Sequence, residues 1–173
     1  MDKVTVVRSM HHEMKNHNSA GYYALSGHAP PVDDIRLKDT LELFPAYGSV
    51  VSPTLDFLLA KTQDSGFILV EESASHGPMY GHGFAALFLA ECYGMTMRAD
   101  VREKLAKSVA LIVKTQNNEG GWRYQPVRRD ADISVTICQV MALRAARNAG
   151  IFVPRDTIDR CIDYVKQSQN ADG

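Results

Sequence analysis

Hydrophobic residues follow a helical period through the second half of the chain. From Val101 to Val113 the apolar positions form one stripe, and a second stripe runs from Ile158 to Val165. The segments that precede these stripes, 84–90 and 133–143, are apolar nearly all round, which is typical of helices covered on both faces. Because buried helices alternate with helices that have one wet face, the pattern predicts two concentric layers of helices.

Cap residues predict where these helices begin and end. Asp100, with Glu103 three positions later, has the spacing of a capping box ahead of the first amphipathic helix. Gly94 and Gly150, each followed by an apolar residue, predict glycine C-caps for the two buried helices. We expect about five helices, two inner and three outer, and an all-α fold.

The first 51 residues differ in character, because histidine, asparagine, glycine and proline dominate and no helical period persists. Val4–Val7 reads as one short strand, Asn16–Asp34 as an irregular loop, and Leu37–Phe44 as a short helix. The sequence therefore predicts an irregular segment at 1–51 and a helical domain at 52–173.

A glutamine phrase recurs in the helical domain. Gln63, Gln116 and Gln169 are each 53 positions apart, which predicts stacked supersecondary units, about 2.5 of them. The chain reaches Gly173 just where the second copy runs on to Trp122, so we expect the last unit to be cut short.

Composition sets limits on partners and location. The net charge is −1 and the pI is about 6.6, without a basic run, so the chain does not have the electrostatic character of a nucleic-acid-binding protein. No apolar stretch has the length of a transmembrane segment, and the first residues do not resemble a signal peptide, so a cytoplasmic location is the default expectation. Cys92, Cys138 and Cys161 lie inside predicted helices, which favours buried, reduced thiols.

The residues from Gln116 to Trp122 fit the Q-x3-G-x-W repeat of squalene and terpene cyclases, and Gln63-Asp64-Ser65-Gly66-Phe67 is a shortened form of it. The chain from about Ser52 onward thus resembles the prenyltransferase and squalene-oxidase repeat family. That resemblance implies an α/α toroid, here a partial one, with inner and outer helices around a cavity. In such a repeat Gly66 and Gly120 permit a tight turn and the glutamine bonds backbone at the turn. Phe67 and Trp122 pack against the neighbouring unit.

Two aspartates are the catalytic candidates. In the cyclase family a D-x-D-D motif protonates an alkene or epoxide, and Asp130 and Asp132 match it, whereas Ile133 stands at the fourth position. Asp132 would be the general acid. The alternative is that Asp132 caps the helix that follows it, since its carboxylate can accept backbone N–H groups there.

The resemblance also suggests ligand-binding residues at the beginnings of the inner helices, where aromatic faces can stabilise a cation. The same residues can instead pack between repeats. Zinc chemistry is not expected, because Ser134 and Val135 stand where a prenyltransferase repeat would carry its ligands, and we predict neither metal nor cofactor. The candidates are Tyr80, His82, Phe84, Trp122 and Tyr124.

The first segment resembles a fragment of a bacterial domain related to sulfatases and alkaline phosphatases. The resemblance is carried by Val6–His12 and Asn16–Pro30, in which Leu25-Ser26-Gly27 stands where sulfatases have Leu-Thr-Gly. His17 occupies the position of the sulfatase nucleophile, so sulfatase chemistry is not implied.

Three hypotheses for the function follow. The leading one is a cyclase- or prenyltransferase-like repeat segment without catalysis of its own. It would bind an apolar, isoprenoid-like or protein ligand, bind another toroid chain, or form a homo-oligomer. The second is a module of an active class II cyclase that uses Asp132, and the third is a sulfatase-like hydrolase fragment.

Overall fold

The computed structural model describes residues 45–71, 77–96 and 98–171, and in this part the protein is all-α, as predicted. The predicted strand at Val4–Val7, the loop at Asn16–Asp34, the short helix at Leu37–Phe44 and the sulfatase-like phrase lie outside the described residues. The helices are α1 (Pro45–Lys61), α2 (Pro78–Thr96), α3 (Ala99–Thr115), α4 (Ile133–Asn148) and α5 (Arg155–Gln167).

The first helix begins earlier than the sequence pattern predicts. α1 starts at Pro45, crosses the expected boundary between residues 51 and 52, and contains Pro53. Proline is best tolerated in the first turn of a helix, which is why the sequence favours a later start. The Thr54 hydroxyl donates a hydrogen bond to the carbonyl of Val50 at 2.8 Å beside this proline.

Two central helices carry the packing. α2 packs most extensively against α4, and the outer helices α1, α3 and α5 contact this pair. A side chain at Gly83 would meet Cys138 at about 3.0 Å, so the glycine allows the two central helices to approach closely. The core between the layers includes the fully buried side chains Met79, Leu89, Leu105, Ile112, Trp122 and Leu143.

The all-round apolar sequence of the central helices predicts that both of their faces are covered. In the structure one face is exposed. Within the described residues, Phe84 on α2 and Ile133, Ile137 and Met141 on α4 are exposed. Periodicity alone could not reveal this exposure, because the sequence pattern of an apolar residue is the same whether or not a neighbouring element covers it. Of the helices described, none combines the length and the apolarity needed to cross a bilayer.

Of the caps predicted at Asp100, Gly94 and Gly150, the first two are wrong and the last is confirmed. α3 begins one residue before Asp100, with Arg98 as N-cap, so Asp100 lies in the first turn and pairs with Arg98 at 2.6 Å instead. Glu103 pairs with Lys107 at 2.8 Å, which removes the second half of the capping box. The C-cap predicted at Gly94 falls inside α2, which continues to Thr96.

Gly150 ends α4 as predicted. Its φ is 81°, and its N–H donates to the Arg147 carbonyl at 3.0 Å. The Ile151 N–H donates to the Ala146 carbonyl at 2.9 Å, and the Ile151 side chain is buried. These two bonds and the apolar contact form a Schellman motif.

Candidate functional site

The loops after α1 and α3 share one hydrogen-bond pattern. In the first, the Gln63 N–H donates to the Phe67 carbonyl at 2.9 Å, and in the second Asn117 donates to Gly121 at 3.0 Å. The N–H of Gly66 likewise donates to the carbonyl of residue 63, and that of Gly120 to the carbonyl of residue 117. Structurally equivalent residues of the two loops are therefore 54 positions apart in the sequence.

This register pairs Gln116 with Thr62 and not with Gln63. Gln116 is buried, and its side-chain amide donates to the carbonyls of Gly120 at 2.8 Å and Thr157 at 2.9 Å. It thereby joins the loop to α5. Thr62 is also buried, whereas Gln63 and Gln169 are exposed. The glutamines that recur at intervals of 53 residues in the sequence therefore lie in different environments in the structure.

Both loop glycines lie against the backbone of the next outer helix. The φ of Gly66 is 86° and that of Gly120 is 97°, so both adopt the left-handed conformation that favours glycine. A Cβ on Gly66 would come within 2.3 Å of the Lys107 carbonyl, and one on Gly120 within 2.1 Å of the Arg160 carbonyl. The glycines are required for the turn and also for the close contact between loop and helix.

Two aromatic residues of the loops, Phe67 and Trp122, are part of the core. Trp122 is 1% exposed, and its indole N–H donates to the Ile112 carbonyl at 2.7 Å. Phe67 is buried against the ring of His82, with 5.4 Å between ring centroids. Trp122 therefore joins the loop to α3 and has no open face for a ligand.

His82 is also a core residue. Its Nδ1 accepts a hydrogen bond from the Ile68 N–H at 3.1 Å, which places the proton of the neutral ring on Nε2. Burial lowers the pKa of His82 to about 4, and an interaction with the Ser108 backbone opposes part of that shift. His82 is therefore neutral at physiological pH and supports the loop. No group of residues suited to holding a metal ion occurs in the described part of the chain.

Four polar side chains meet where α2 and α4 begin, and we call Tyr80, Tyr124, Asp132 and Ser134 the polar cluster. The Ser134 hydroxyl donates to the Asp132 carboxylate, and Tyr80 bonds to the Ser134 oxygen. The Tyr124 hydroxyl donates to the other oxygen of Asp132 at 3.3 Å, and the rings of Tyr80 and Tyr124 lie 5.9 Å apart. Because Ser134 has one hydroxyl proton, which Asp132 receives, Tyr80 acts as the donor to Ser134.

Asp132 is the N-cap of α4. It accepts the backbone N–H groups of Ser134 at 2.9 Å and Val135 at 3.1 Å. The hydrogen bond from the Ser134 hydroxyl and these backbone bonds lower the pKa of Asp132, whereas partial desolvation opposes them. The Asp132 carboxylate in turn raises the pKa of Tyr124. The cluster is thus organised around an ionised carboxylate.

Asp130 has a separate partner. Its carboxylate pairs with Arg123 at 2.6 Å, and the Arg123 guanidinium lies 5.0 Å from the centre of the Tyr124 ring. The two aspartates of the motif therefore bind different groups.

An exposed apolar strip continues from the polar cluster along the central helices. Phe84 lies one turn beyond Tyr80 on α2, and Ile133, Ile137 and Met141 share one face of α4 at intervals of four residues. We call these four residues the apolar strip. The structure thus brings Tyr80, Phe84, Tyr124 and Asp132 to one surface, and places His82 and Trp122 beneath it. Sequence reasoning missed Ser134, Ile137 and Met141, although the four-residue spacing on α4 was readable.

Compared with protein families, curated proteins and solved structures, the chain gives no significant match.

Proposed function

We propose that this chain is a helical-repeat segment of the terpene-cyclase and prenyltransferase type, non-catalytic on its own, which binds an apolar ligand on the exposed face of α2 and α4. The observation that carries the proposal is the continuity of the apolar strip with the polar cluster. Phe84, Ile137 and Met141 offer apolar contact, and the cluster at one end offers hydrogen bonds to a single polar group. Ligand sites combine these two features.

The repeat type is supported by the loops. Two loops with the same hydrogen bonds, each followed by a central helix and an outer helix, are the arrangement that stacked repeats require. The toroid remains part of the proposal, since it concerns how further units would continue the curve.

Catalysis by Asp132 has less support. An acid that protonates an alkene must hold its proton at the working pH. The hydrogen bonds to Asp132 stabilise its charged form and lower its pKa, which is the opposite requirement. One observation keeps the class II cyclase as a second candidate, namely that two tyrosine rings flank Asp132 at the surface.

The test is binding of a neutral apolar dye, N-phenyl-1-naphthylamine, and its displacement by farnesol, an isoprenoid alcohol. Ile137→Asp places a charge in the middle of the apolar strip and is expected to abolish binding. Ile162→Asp is the matched control, because Ile162 on α5 is 45% exposed and Ile137 is 42% exposed. Equal binding by both variants, with unchanged circular dichroism, would contradict the proposal.

The same pair of variants separates ligand binding from self-association. If the apolar strip is an interface between copies, light scattering will report an oligomer that Ile137→Asp converts to monomer and Ile162→Asp leaves intact. An apolar ligand bound by a monomer supports the proposal as stated.

A further inference from the structure

A second surface feature lies on the outer layer, away from the face of α2 and α4. A groove of about 590 Å³ runs between α3 and the segment 151–160, which includes the first turns of α5. Its apolar lining includes Val109 and Val113 on α3 and Ile151 before α5. The volume is within the range of small-molecule sites, roughly 300–1,000 Å³.

One wall of the groove is an exposed aromatic ring. Phe152 is 82% exposed, the highest value among the large apolar residues described. The residue before it, Ile151, is fixed by the Schellman motif that ends α4. Phe152 is thus held at the surface by an ordered turn, at the edge of the apolar groove that it lines.

The rim of the groove is cationic. Arg102, Lys114 and Arg128 line it, and none of them forms an ion pair within the described ranges. The Arg128 Nε donates to the backbone carbonyl of Lys114 at 2.7 Å, so the Arg128 guanidinium lies beside the last turn of α3, the turn that carries Lys114. The acidic residue among those that line the groove, Asp156, already pairs with Arg160 at 3.0 Å. The surplus of positive charge favours a ligand that carries an anionic group.

We propose that this groove binds a single-chain amphiphile that carries one anionic group, a phosphate or a carboxylate. The chain lies over Ala110 and Val113 beside Phe152, and the anion lies between Lys114 and Arg128. Apolar lining alone would accept any hydrophobic molecule. The unpaired cations on the rim select the charge of the ligand.

The test uses the full chain and isothermal titration with four probes of equal chain length, each below its micelle concentration. Dodecyl phosphate and dodecanoate are expected to bind, and the stronger of the two identifies the head group. Dodecanol and dodecyltrimethylammonium are expected to bind at least about tenfold more weakly, because they lack the charge–charge contact. Anion binding is expected to weaken as salt rises. Dodecanol bound as tightly as both anions would overturn the proposal.

Variants assign the site. Arg128→Gln and Lys114→Gln are expected to weaken binding of dodecyl phosphate about tenfold each. Phe152→Ser is expected to weaken anionic and neutral probes alike. Arg147→Gln, which removes an exposed cation from α4, is the matched control and is expected to leave binding unchanged. Ile137→Asp distinguishes the groove from the apolar strip. Loss of dodecyl phosphate binding in Ile137→Asp, with no loss in Arg128→Gln, would place the ligand elsewhere and overturn the proposal.

Discussion

His82 on α2 and Thr136 on α4 occupy equivalent places near the beginnings of these helices, where each side chain accepts a hydrogen bond from the backbone N–H of the residue 14 positions earlier. The bond from Ile68 to His82 Nδ1 is 3.1 Å long, and that from Trp122 to the Thr136 hydroxyl is 3.0 Å long. Both tie a loop to the beginning of a central helix. Only the first of them can be lost by protonation, because threonine does not titrate and protonated histidine has no acceptor nitrogen.

The first prediction concerns pH. The pKa of His82 in the folded protein is about 4, whereas an unfolded histidine titrates near 6.5. Between these values the unfolded chain binds a proton that the folded chain does not, so the stabilisation is complete above about pH 6.5. It is lost as the pH falls toward 4. The expected loss is about 2–3 kcal/mol in the free energy of unfolding, measured by urea denaturation between pH 7.5 and 4.5.

His82→Asn isolates this contribution. Asparagine keeps a side-chain acceptor for the Ile68 N–H but does not titrate, so the variant is expected to lose less stability on acidification than the wild type. Carboxylates such as Asp132 contribute to both proteins equally and cancel in the difference. Parallel pH curves for the two proteins would show that His82 is not buried in its neutral form.

The second prediction concerns the loop glycines. Gly120→Ala forces a positive φ on alanine and brings its Cβ within 2.1 Å of the Arg160 carbonyl, so it is expected to cost at least about 2 kcal/mol of stability. Gly66→Ala, next to Lys107, is expected to behave in the same way. Gly81→Ala is the control, because outside its own stretch of helix backbone no atom lies within 4 Å of its added Cβ, and alanine favours the helix. It is expected to be neutral or to stabilise by up to about 1 kcal/mol. Thermal denaturation of the three variants measures these changes in stability.

The third prediction separates two glutamines that the sequence treats alike. Gln116→Ala leaves the carbonyls of Gly120 and Thr157 without their donor inside the core, which is expected to cost about 2–4 kcal/mol. Gln63→Ala removes an exposed side chain and is expected to change stability by less than about 0.5 kcal/mol. Denaturant titration of both variants measures the difference. Similar losses would mean that both glutamines serve as the turn residue.

The helical class, the Gly150 cap and the Asp132 cap could be predicted because each depends on residues close together in the chain. The register of the loops could not. Gln63 aligns with Gln116 by residue type alone. Because α1 ends at Lys61 and α3 at Thr115, the residue that follows the helix is Thr62 in the first loop and Gln116 in the second. Burial distinguishes the two alignments, and burial depends on α3 and α5, which are distant in sequence.

The candidate site was predictable only in part. The aromatic residues Tyr80 and Tyr124 were identifiable, but not that their rings meet above Asp132, since that contact depends on the packing of α2 against α4. The apolar strip was hidden for another reason. Ile137 and Met141 have the spacing that is typical of core residues. They are exposed because no neighbour covers them among the described residues.

The fourth prediction concerns the cysteines. All three are buried, and burial raises the pKa of Cys92 to about 12 and that of Cys161 to about 11. The pKa of Cys138 is raised for the same reason. Because the thiolate is the reactive form, the native protein is expected to react negligibly with Ellman's reagent at pH 8 within minutes. In denaturant all three thiols of the chain are expected to react. Rapid reaction of one native thiol would contradict the burial of that cysteine.

The last prediction decides between the two roles of Asp132. As a cap, it accepts two backbone N–H groups through one carboxylate oxygen. Asp132→Ala therefore removes both bonds and is expected to lower the free energy of unfolding by about 1 kcal/mol. Asp132→Asn keeps an acceptor oxygen and is expected to lose less, because asparagine is also a good N-cap. Both losses are measured by denaturant titration, and farnesol binding by the dye-displacement assay is expected to survive in Asp132→Asn. An active class II cyclase would show cyclisation of squalene that disappears in Asp132→Asn while stability is retained, and that result would replace the proposed binding role with a catalytic one.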